Sequence, residues 1–446
     1  MKNHHRQKII VYGAGGKYSI IKDKIFEQYD VVAIVDSNPD KQGFITNGYK
    51  IIAPEQIDNL SFDFILITTM QYYYEICSWL INEKKVDKAK IKPLDVNFLL
   101  GEISDLYDEK SQYQEEIRYL RNLIIEMKLS KFEENSRLVE IVNYAKMKND
   151  ISIYWTNHTV HDGWFITAEE SHGECLKRFS MYPKHREFLD MDRNHSNDII
   201  LDYGCGPGHD VIWFTSMCKA KYVIGMDVSE SALKNTQFRL ALHNVKSSNV
   251  KLIQINETED KLPLEDESID FVNCQGVLMH TTNPQKILKE FYRVLKKKKK
   301  NESCMNIMVY NKDSIYYHLY AAYYLRYIDN RELCNMGSDR VEKMSVDEVF
   351  GCSTDGVECP KAVCWTQSEF TNMLQEAGFS RVEYKGGYPN NLELIIAEKY
   401  LRCALEDKRL EEKHKLFLRD VVFSEDGYPM YDGKICCIGG AYSCYL

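Results

Sequence analysis

The sequence has no apolar run long enough to span a bilayer, and no apolar segment follows its polar, basic N-terminus, Met1–Lys8. Its 14 cysteines form no Cys-x-x-Cys pair. The spacing of Cys352, Cys359 and Cys364 fits no common zinc pattern. We therefore expect a cytoplasmic protein with reduced thiols, no membrane span and no bound metal.

Basic residues are also fewer than acidic ones. The chain carries 57 Lys and Arg against 66 Asp and Glu, a formal net charge of −9. Such a chain has no general attraction for nucleic-acid phosphates or anionic lipid, so we expect no nucleic-acid partner. The clearest basic run, Lys296–Lys300, is expected to be a solvated turn, with phosphate or lipid binding as the alternative.

Short apolar segments alternate with helical ones in residues 1–96. Lys8–Tyr12 leads into a glycine-rich turn, Val31–Val35 leads into Asp36, and Phe62–Thr68 precedes a helical pattern. This alternation indicates a parallel sheet with crossover helices, and hence a Rossmann-like domain. The turn contains Gly13, Gly15 and Gly16, and Asp36 is the acid after the second strand.

A heptad pattern runs through residues 97–149, which we predict to be a helical linker. Apolar residues recur at alternating steps of three and four, with only Lys110 interrupting them: Ile103, Leu106, Tyr113, Ile117, Leu120, Ile124 and Met127. The spacing is typical of a coiled-coil seam. We favour a helix that pairs two copies as a homodimer, and a helix laid on a neighbouring domain is the alternative.

Residues 150–446 form a second α/β pattern. The predicted strands are Ile199–Tyr203, Tyr222–Met226, Val250–Ile255, Ile269–Cys274 and Met305–Tyr310. The predicted helices are Asp210–Met217, Ser229–His243, Pro284–Leu295 and Thr366–Ala377. The predicted fold class is therefore α/β, with two doubly wound Rossmann-like domains joined by a long helical segment.

The strongest chemical signal is the turn after the first of these strands. Asp202 is followed by Gly204, Gly206 and Gly208, and then by a helix. Glycine allows positive φ and close approach of a ligand, and a helix N-terminus offers free N–H groups to an anion. The next predicted strand ends in Asp227, whose carboxylate can accept both hydroxyls of a ribose. These features predict a nucleoside cofactor, and a dinucleotide would also fit.

The segment Asp202-x-Gly204-Cys205-Gly206-Pro207-Gly208 resembles the D-x-G-C-G-x-G signature of class I S-adenosylmethionine-dependent methyltransferases. Four later segments resemble that family in the same order: Gly225–Ser229, Leu262–Asp270, Gly276–Thr281 and Glu290–Lys296. The resemblance is close over residues 199–310 and looser over 150–446. Lysines 297–300 replace the family's usual Pro-Gly-Gly, which puts the turn before the fifth strand in doubt.

The resemblance implies S-adenosylmethionine as cofactor. By it, the three glycines would cradle the methionine part, Asp202 would support its amino group, and Asp227 would hold the ribose. Glu257 would lie near the adenine, although Asn256 and Glu259 crowd the same place. The full candidate cofactor set is Asp202, Gly204, Cys205, Gly206, Gly208, Asp227, Glu257 and Gln275.

His280 is the candidate catalytic residue, because it follows the fourth strand at the ligand-binding edge of the sheet. It would serve as a general base for an oxygen or nitrogen acceptor, and the alternative is a histidine that only shapes the pocket. Residues 154–165 and 308–318 mix aromatic and hydrogen-bonding side chains and are candidates for the acceptor pocket. Residues 353–360 are predicted to be a polar loop.

The N-terminal segments Tyr12–Gly16 and Val35–Gly43 resemble nucleotide-binding domains linked with bacterial surface-sugar enzymes. This resemblance implies a nucleotide or nucleotide-sugar ligand, with Gly13, Gly15, Gly16 and Asp36 as the candidate binding residues. A unit kept only for packing or regulation is the alternative. The leading hypothesis is a methyltransferase acting on a small molecule, such as a sugar or cell-surface glycan precursor. The alternatives are a sugar-nucleotide or NAD-dependent enzyme acting through the N-terminal domain, or a donor-binding regulator without catalysis.

Overall fold

The structure, a computed structural model, describes residues 6–69, 73–93, 117–144, 150–159, 163–256, 258, 261–297, 302–329, 333 and 338–446. The chain divides into two compact units, Met1–Leu120 and Arg121–Leu446. No helix in these described ranges is both long enough and apolar enough to cross a bilayer.

The first unit is built on a six-stranded sheet. Its strands are β1 (Lys8–Tyr12), β2 (Asp30–Val35), β3 (Ile45–Thr46), β4 (Tyr49–Ile52), β5 (Phe64–Ile67) and β6 (Ile91–Pro93), in the order β3-β4-β2-β1-β5-β6. Its helices are α1 (Gly16–Gln28) and α2 (Tyr73–Asn82). Only the β3–β4 pairing is antiparallel. Strands β1 and β5 are continuous apolar runs because both faces of the sheet are covered.

Only the second half of the heptad segment lies in the described ranges, where residues 117–134 form helix α3. The seam positions Ile117, Leu120, Ile124 and Met127 are exposed. On another side of the helix, Ile125 and Phe132 are buried against a cluster that includes Phe238. The seam residues Ile103, Leu106 and Tyr113 lie outside the described residues. Pairing of two copies therefore stays a prediction.

The second unit contains an eight-stranded sheet and a small three-stranded one. The strands are β7 (Ile141–Asn143), β8 (Ile199–Tyr203), β9 (Tyr222–Asp227), β10 (Val250–Gln254), β11 (Phe271–Gln275), β12 (Met305–Tyr310), β13 (Arg381–Tyr388), β14 (Val422–Phe423), β15 (Pro429–Tyr431), β16 (Lys434–Ile435) and β17 (Gly439–Tyr445). The large sheet has the order β13-β17-β12-β11-β8-β9-β10-β7. Strand β17 is antiparallel to both of its neighbours, and the other pairings are parallel.

Helices of this unit are α4 (Asp150–Asn157), α5 (Ala168–Met181), α6 (His185–Phe188), α7 (His209–Ser216), α8 (Glu230–Leu242), α9 (Pro284–Val294), α10 (Leu325–Tyr327), α11 (Ser338–Val341), α12 (Val346–Asp355), α13 (Gln367–Ala377), α14 (Asn391–Glu406) and α15 (Glu412–Asp420). A π-helix covers Tyr316–Tyr324. The predicted α/β class with two Rossmann-like sheets is confirmed, and β8 and β12 have the predicted bounds.

The strand order reverses at β8, which pairs with β9 on one side and with β11 on the other. Crossover connections then leave the sheet in opposite directions, which opens a crevice at the carboxyl ends of these strands. The glycine-rich turn follows β8, Asp227 ends β9, and Gln275 ends β11. The fold therefore gathers three of the predicted site positions at one edge.

Candidate active site

A cavity of about 340 Å³ lies at the carboxyl ends of the central strands. That volume is within the range of roughly 300–1,000 Å³ that small-molecule sites occupy. Seven of the predicted residues line it: Asp202, Gly204, Cys205, Gly206, Asp227, Gln275 and His280. Gly208 is not in the lining, and Glu257 lies outside the described residues.

The glycine-rich turn leaves space above Gly206 and packs tightly at Gly208. Gly206 has a φ of +52°, and a Cβ placed there would find no atom within 4 Å. Gly208 has a φ of +82°, and its Cβ would lie 2.6 Å from Cγ2 of Thr236. Left-handed backbone favours glycine at both positions. Gly206 therefore presents its backbone to the cavity, whereas Gly208 allows the turn to lie against helix α8.

A buried arginine stabilises the glycine-rich turn. Arg239 is fully buried on α8, and its Nη1 donates to the Pro207 carbonyl at 2.8 Å. Its Nε donates to the Ser171 hydroxyl at 2.9 Å, and its Nη2 donates to the Ser171 carbonyl at 3.0 Å. The guanidinium thereby fixes the turn relative to helix α5. Sequence reasoning missed Arg239, because no motif marks a single arginine inside a helix.

Asp227 connects the end of β9 to the turn. Its Oδ2 accepts a hydrogen bond from the Gly206 N–H at 2.7 Å, and its Oδ1 accepts one from the Ser229 N–H at 2.8 Å. Burial raises the pKa of this carboxyl, and the backbone N–H groups oppose that rise. Each carboxylate oxygen can accept a further hydrogen bond, so a ligand hydroxyl can bind the same group.

Asp202 has an oxygen without a partner. Its Oδ1 accepts from Nδ2 of Asn273 at 2.8 Å, but its buried Oδ2 has no hydrogen-bond partner among the described residues. Burial, together with the neighbouring Asp210 carboxylate, raises its pKa well above the usual range. Asp210 is itself paired with Arg178. The open Oδ2 is therefore suited to a ligand that brings a proton or a positive charge.

Gln275 is held by a chain of side-chain hydrogen bonds. Its Nε2 donates to Oδ1 of Asn273 at 2.8 Å, and its Oε1 accepts from Nε2 of His185 at 2.6 Å. Burial lowers the pKa of His185 to about 4, so this imidazole is neutral at pH 7. The chain continues through Asn273 to Asp202, which makes the cavity wall one connected polar network.

His280 faces a carboxylate that sequence analysis did not identify. Its Nδ1 donates to the Lys361 carbonyl at 2.7 Å, and its Nε2 lies 3.6 Å from Oδ2 of Asp355. The Tyr310 hydroxyl donates to the same carboxylate, at 2.9 Å from Oδ2 and 3.1 Å from Oδ1. The His280 ring also contacts Trp155, with centroids 4.8 Å apart. These residues form a second group in the cavity lining.

The expectation of a polar loop over residues 353–360 was wrong at its start. Ser353–Asp355 form the last turn of α12, which a capping box between Ser345 and Glu348 begins. The Ser-x-x-Glu pattern, followed by buried Val349 and Phe350, was the signal that would have revealed this helix. Asp355 is therefore fixed on a helix end and points into the cavity lining.

The candidate N-terminal residues form a self-contained turn in the first unit. Gly13 has a φ of +108°, and Gly16 begins α1 directly after Gly15. The Asp36 carboxylate accepts from the backbone N–H of Ala14 at 2.7 Å and from that of Asn38 at 2.9 Å. It also pairs with Nζ of Lys41 at 3.0 Å. Asp36 thus organises the turn, and nucleotide binding here stays a prediction.

Comparisons with known proteins agree with the geometry of the second unit. Residues 194–378 match a family model described as a methyltransferase domain, and residues 5–92 match one described as C2185-like, N-terminal. A ubiquinone biosynthesis O-methyltransferase of Neisseria meningitidis serogroup A is 27% identical over 139 residues, which are 31% of this chain and 54% of that protein. The chain thus spans about half the length of this relative.

Two further proteins are similar to parts of this chain. A tRNA U34 carboxymethyltransferase of Nautilia profundicola is 28% identical over 215 residues, 44% of this chain and 64% of that protein. A crystal structure of a SAM-dependent methyltransferase from Aquifex aeolicus aligns at 18% identity with a TM-score of 0.32, covering 49% of this chain and 92% of that one.

The residues present fit the cofactor of this family. S-adenosylmethionine carries an ammonium, a sulfonium, a carboxylate and two ribose hydroxyls. The orphaned Oδ2 of Asp202 suits a cation, Asp227 suits hydroxyls, and the open backbone at Gly206 suits a close approach. Residues 194–378, which match the methyltransferase-domain model, therefore contain a site whose residues suit S-adenosylmethionine.

Proposed function

We propose that this protein transfers the methyl group of S-adenosylmethionine to a small-molecule acceptor bound beside His280. The observation that carries the proposal is that one cavity is lined both by the donor-site residues and by the pair His280 and Asp355. A donor and an acceptor held in one cavity can meet in line, and alignment is the main contribution a protein makes to methyl transfer.

Different residues of the chain would hold different parts of the cofactor. The cofactor, when bound, supplies a methyl group already activated on a sulfonium. Gly204 and Gly206 would approach its methionine part, Asp202 would face the ammonium, and Asp227 would hold the ribose. Glu257 stays a candidate for the adenine, and Cys205 and Gln275 complete the wall around the turn.

His280 would take the acceptor's proton. Because Nδ1 donates to the Lys361 carbonyl, the lone pair of a neutral imidazole is on Nε2, the atom nearest Asp355. A base held in this tautomer is ready to accept a proton without rearrangement. Asp355 would stabilise the imidazolium that results, at a separation of 3.6 Å.

The aromatic lining supports a sugar or cell-surface glycan precursor as the acceptor. Trp155, Tyr182, Tyr310, Tyr316 and Tyr388 all contribute to the cavity wall. Aromatic faces stack on the apolar face of a sugar ring, while tyrosine hydroxyls bond to its hydroxyl groups. The predicted resemblance of residues 8–96 to domains of surface-sugar enzymes points in the same direction.

Free thiols support a cytoplasmic location for this reaction. Every cysteine in the described part of the chain is free, and eleven of these thirteen occupy buried or half-buried positions of the second unit. Free buried thiols are typical of a reducing compartment.

The test is transfer of a labelled methyl group. The protein is incubated with methyl-labelled S-adenosylmethionine and fractions of a cell extract, and donor affinity is measured by isothermal titration. We expect donor binding and a labelled small-molecule product. His280→Ala should retain donor binding and lose roughly 100-fold or more in turnover, since general acid–base catalysis contributes about 10²- to 10⁴-fold. The matched control, His172→Ala, changes a histidine outside the cavity lining.

The outcomes separate the competing functions. Absence of donor binding would overturn the proposal. Donor binding without any labelled product would favour a donor-binding regulator instead. Full turnover by His280→Ala would remove this residue from the mechanism and leave it a role in shaping the pocket.

A further inference from the structure

The carboxylate of Asp355 is buried in the cavity wall with little to balance its charge. Its side chain is 8% exposed. Among the described residues, its one ion-pair contact within 4 Å is with His280, and the Tyr310 hydroxyl is the side-chain donor to it. Burial of a carboxylate without a lysine or arginine partner is costly. A ligand that brings a positive charge would offset that cost.

The rest of the cavity lining also contains more acidic than basic side chains. Four acids contribute to it, namely Asp202, Asp210, Asp227 and Asp355. The one arginine in the lining, Arg178, is already paired with Asp210, and the described lining contains no lysine. The ammonium of the donor is expected at Asp202, so it does not balance the charge of Asp355. The cavity therefore favours a second cation and disfavours a phosphate or carboxylate near the reacting atom.

Aromatic rings also contact His280, the neighbour of Asp355. The ring centroid of His280 lies 4.8 Å from that of Trp155 and 5.8 Å from that of Tyr310. Aromatic faces attract ammonium groups, most strongly where water is excluded. The buried carboxylate of Asp355 lies next to Tyr310 and to His280, and His280 itself contacts Trp155. A negative charge and aromatic rings, the two features that recognise an ammonium, are therefore present together.

We propose that the methyl acceptor is a small-molecule amine that binds as its ammonium form, with Asp355 as the counter-ion and a nitrogen as the reacting atom. The inference rests on the proposed function and adds the chemical class of the acceptor. It is compatible with an amino sugar, whose ring would stack on the tyrosines while its ammonium meets Asp355.

The proton and both electron pairs of the proposed methyl transfer can be followed from atom to atom. The ammonium gives one proton to Nε2 of His280, and the imidazolium that forms pairs with Asp355. The freed nitrogen lone pair forms the new C–N bond while the C–S bond to the methyl group breaks. The electron pair of the broken bond stays on sulfur as a neutral thioether, and the product leaves as an N-methylammonium ion.

The experiment uses the full chain and compounds in matched sets. Amino sugars and arylalkylamines are each compared with the hydroxyl compound of the same skeleton and with a carboxylated analogue. Methyl transfer is measured with labelled donor. Acceptor binding is measured separately by tryptophan fluorescence in the presence of S-adenosylhomocysteine, so that a slow substrate is still detected.

We expect amines to bind at least about tenfold more tightly than their hydroxyl counterparts, the effect of one charge-assisted contact. Asp355→Asn should remove that preference and leave S-adenosylhomocysteine affinity within about twofold, since this carboxylate is not part of the donor group of the lining. The control, Asp347→Asn, makes the same change on the same helix at a residue outside the lining, and should keep the preference.

The results distinguish the two proposals. If hydroxyl compounds bind as well as amines, or if they alone are methylated, the amine inference is overturned while the methyltransferase proposal stands. The same holds if Asp355→Asn keeps the full preference. If S-adenosylhomocysteine does not bind to the wild-type protein, the proposed function itself fails.

Discussion

Nη1 of Arg239 lies 2.8 Å from the carbonyl oxygen of Pro207, so a fully buried guanidinium supports the peptide between two glycines of the turn. The turn therefore depends on a cation that is not itself in the cavity lining. Because the same group also bonds to both the hydroxyl and the carbonyl of Ser171, no smaller side chain can replace all three contacts.

We expect Arg239→Lys to weaken donor binding about 10- to 100-fold and to lower the free energy of unfolding by about 3 kcal/mol, because it leaves buried acceptors unpaired. Isothermal titration with S-adenosylmethionine and urea unfolding measure the two effects. Arg402→Lys is the control, since this side chain is 92% exposed. Wild-type affinity in the Arg239 variant would show that the turn holds its shape without the guanidinium.

Asp227→Asn should bind the donor about 10- to 100-fold more weakly, since an amide cannot accept from both Gly206 and Ser229 while also bonding to a ribose. The variant is nearly isosteric, so the fold should persist. Asp426→Asn, on an exposed loop, is the matched control. An unchanged dissociation constant, with intact circular dichroism, would place the ribose elsewhere.

Acid should destabilise the second unit partly through buried histidines. Burial lowers the pKa of His318 to about 3, and Nδ1 of this residue lies 2.9 Å from Nδ1 of His414. An unfolded histidine titrates near 6.5, so the unfolded chain binds more protons below that pH, and stability falls as the pH decreases from about 6.5. Buried carboxyls with raised pKa values, such as Glu393 at about 8, act in the opposite direction.

A variant isolates the histidine contribution from the carboxyls. The difference in unfolding free energy between wild type and His318→Gln should shrink by up to about 1.4 kcal/mol for each pH unit below 6.5. Urea unfolding at pH 7.5, 6.5, 5.5 and 4.5 gives this difference. A constant difference across the series would mean that His318 titrates alike in both states.

Helix α3 exposes the face that the heptad pattern marks. Ile117, Leu120, Ile124 and Met127 lie on it, and Met127 is 72% exposed. A second copy of the same helix is the occupant that this spacing suits, because identical seams interdigitate. We expect the protein to have the mass of a dimer by light scattering, and Leu120→Glu with Ile124→Glu to halve it. Glu126→Lys with Lys128→Glu, outside the seam, is the control. A monomeric wild-type protein would contradict the prediction.

Local patterns were sufficient for the central part of the fold and of the site. Strands β8 to β12 and helices α7 to α9 were predicted because each is a short apolar run or an amphipathic stretch with clear boundaries. The turn and Asp227 could be found because their residue types are required by the backbone and by the ligand. Both line the same cavity, and their binding of a ligand stays a prediction.

Long-range partners could not be predicted from the sequence. Asp355 and His280 are 75 positions apart in the chain, and Asn273 reaches Asp202 across neighbouring strands. Such contacts depend on how elements pack, which no local pattern records. The candidate pocket stretch 308–318 contains only the first residues of the π-helix Tyr316–Tyr324, and the sequence does not predict that helix, since aromatic residues at close spacing do not reveal their own helix type.

Strand β17 lies between β12 and β13, although it follows both of them in the chain. Both strands that pair with Gly439–Tyr445 therefore precede it in the chain. Strand β12 precedes it by more than a hundred residues. The sheet is complete only with this central strand, and pairings of such long sequence separation form slowly. Until then the apolar edges of β12 and β13 stay open to other chains, so refolding yield should fall as protein concentration rises.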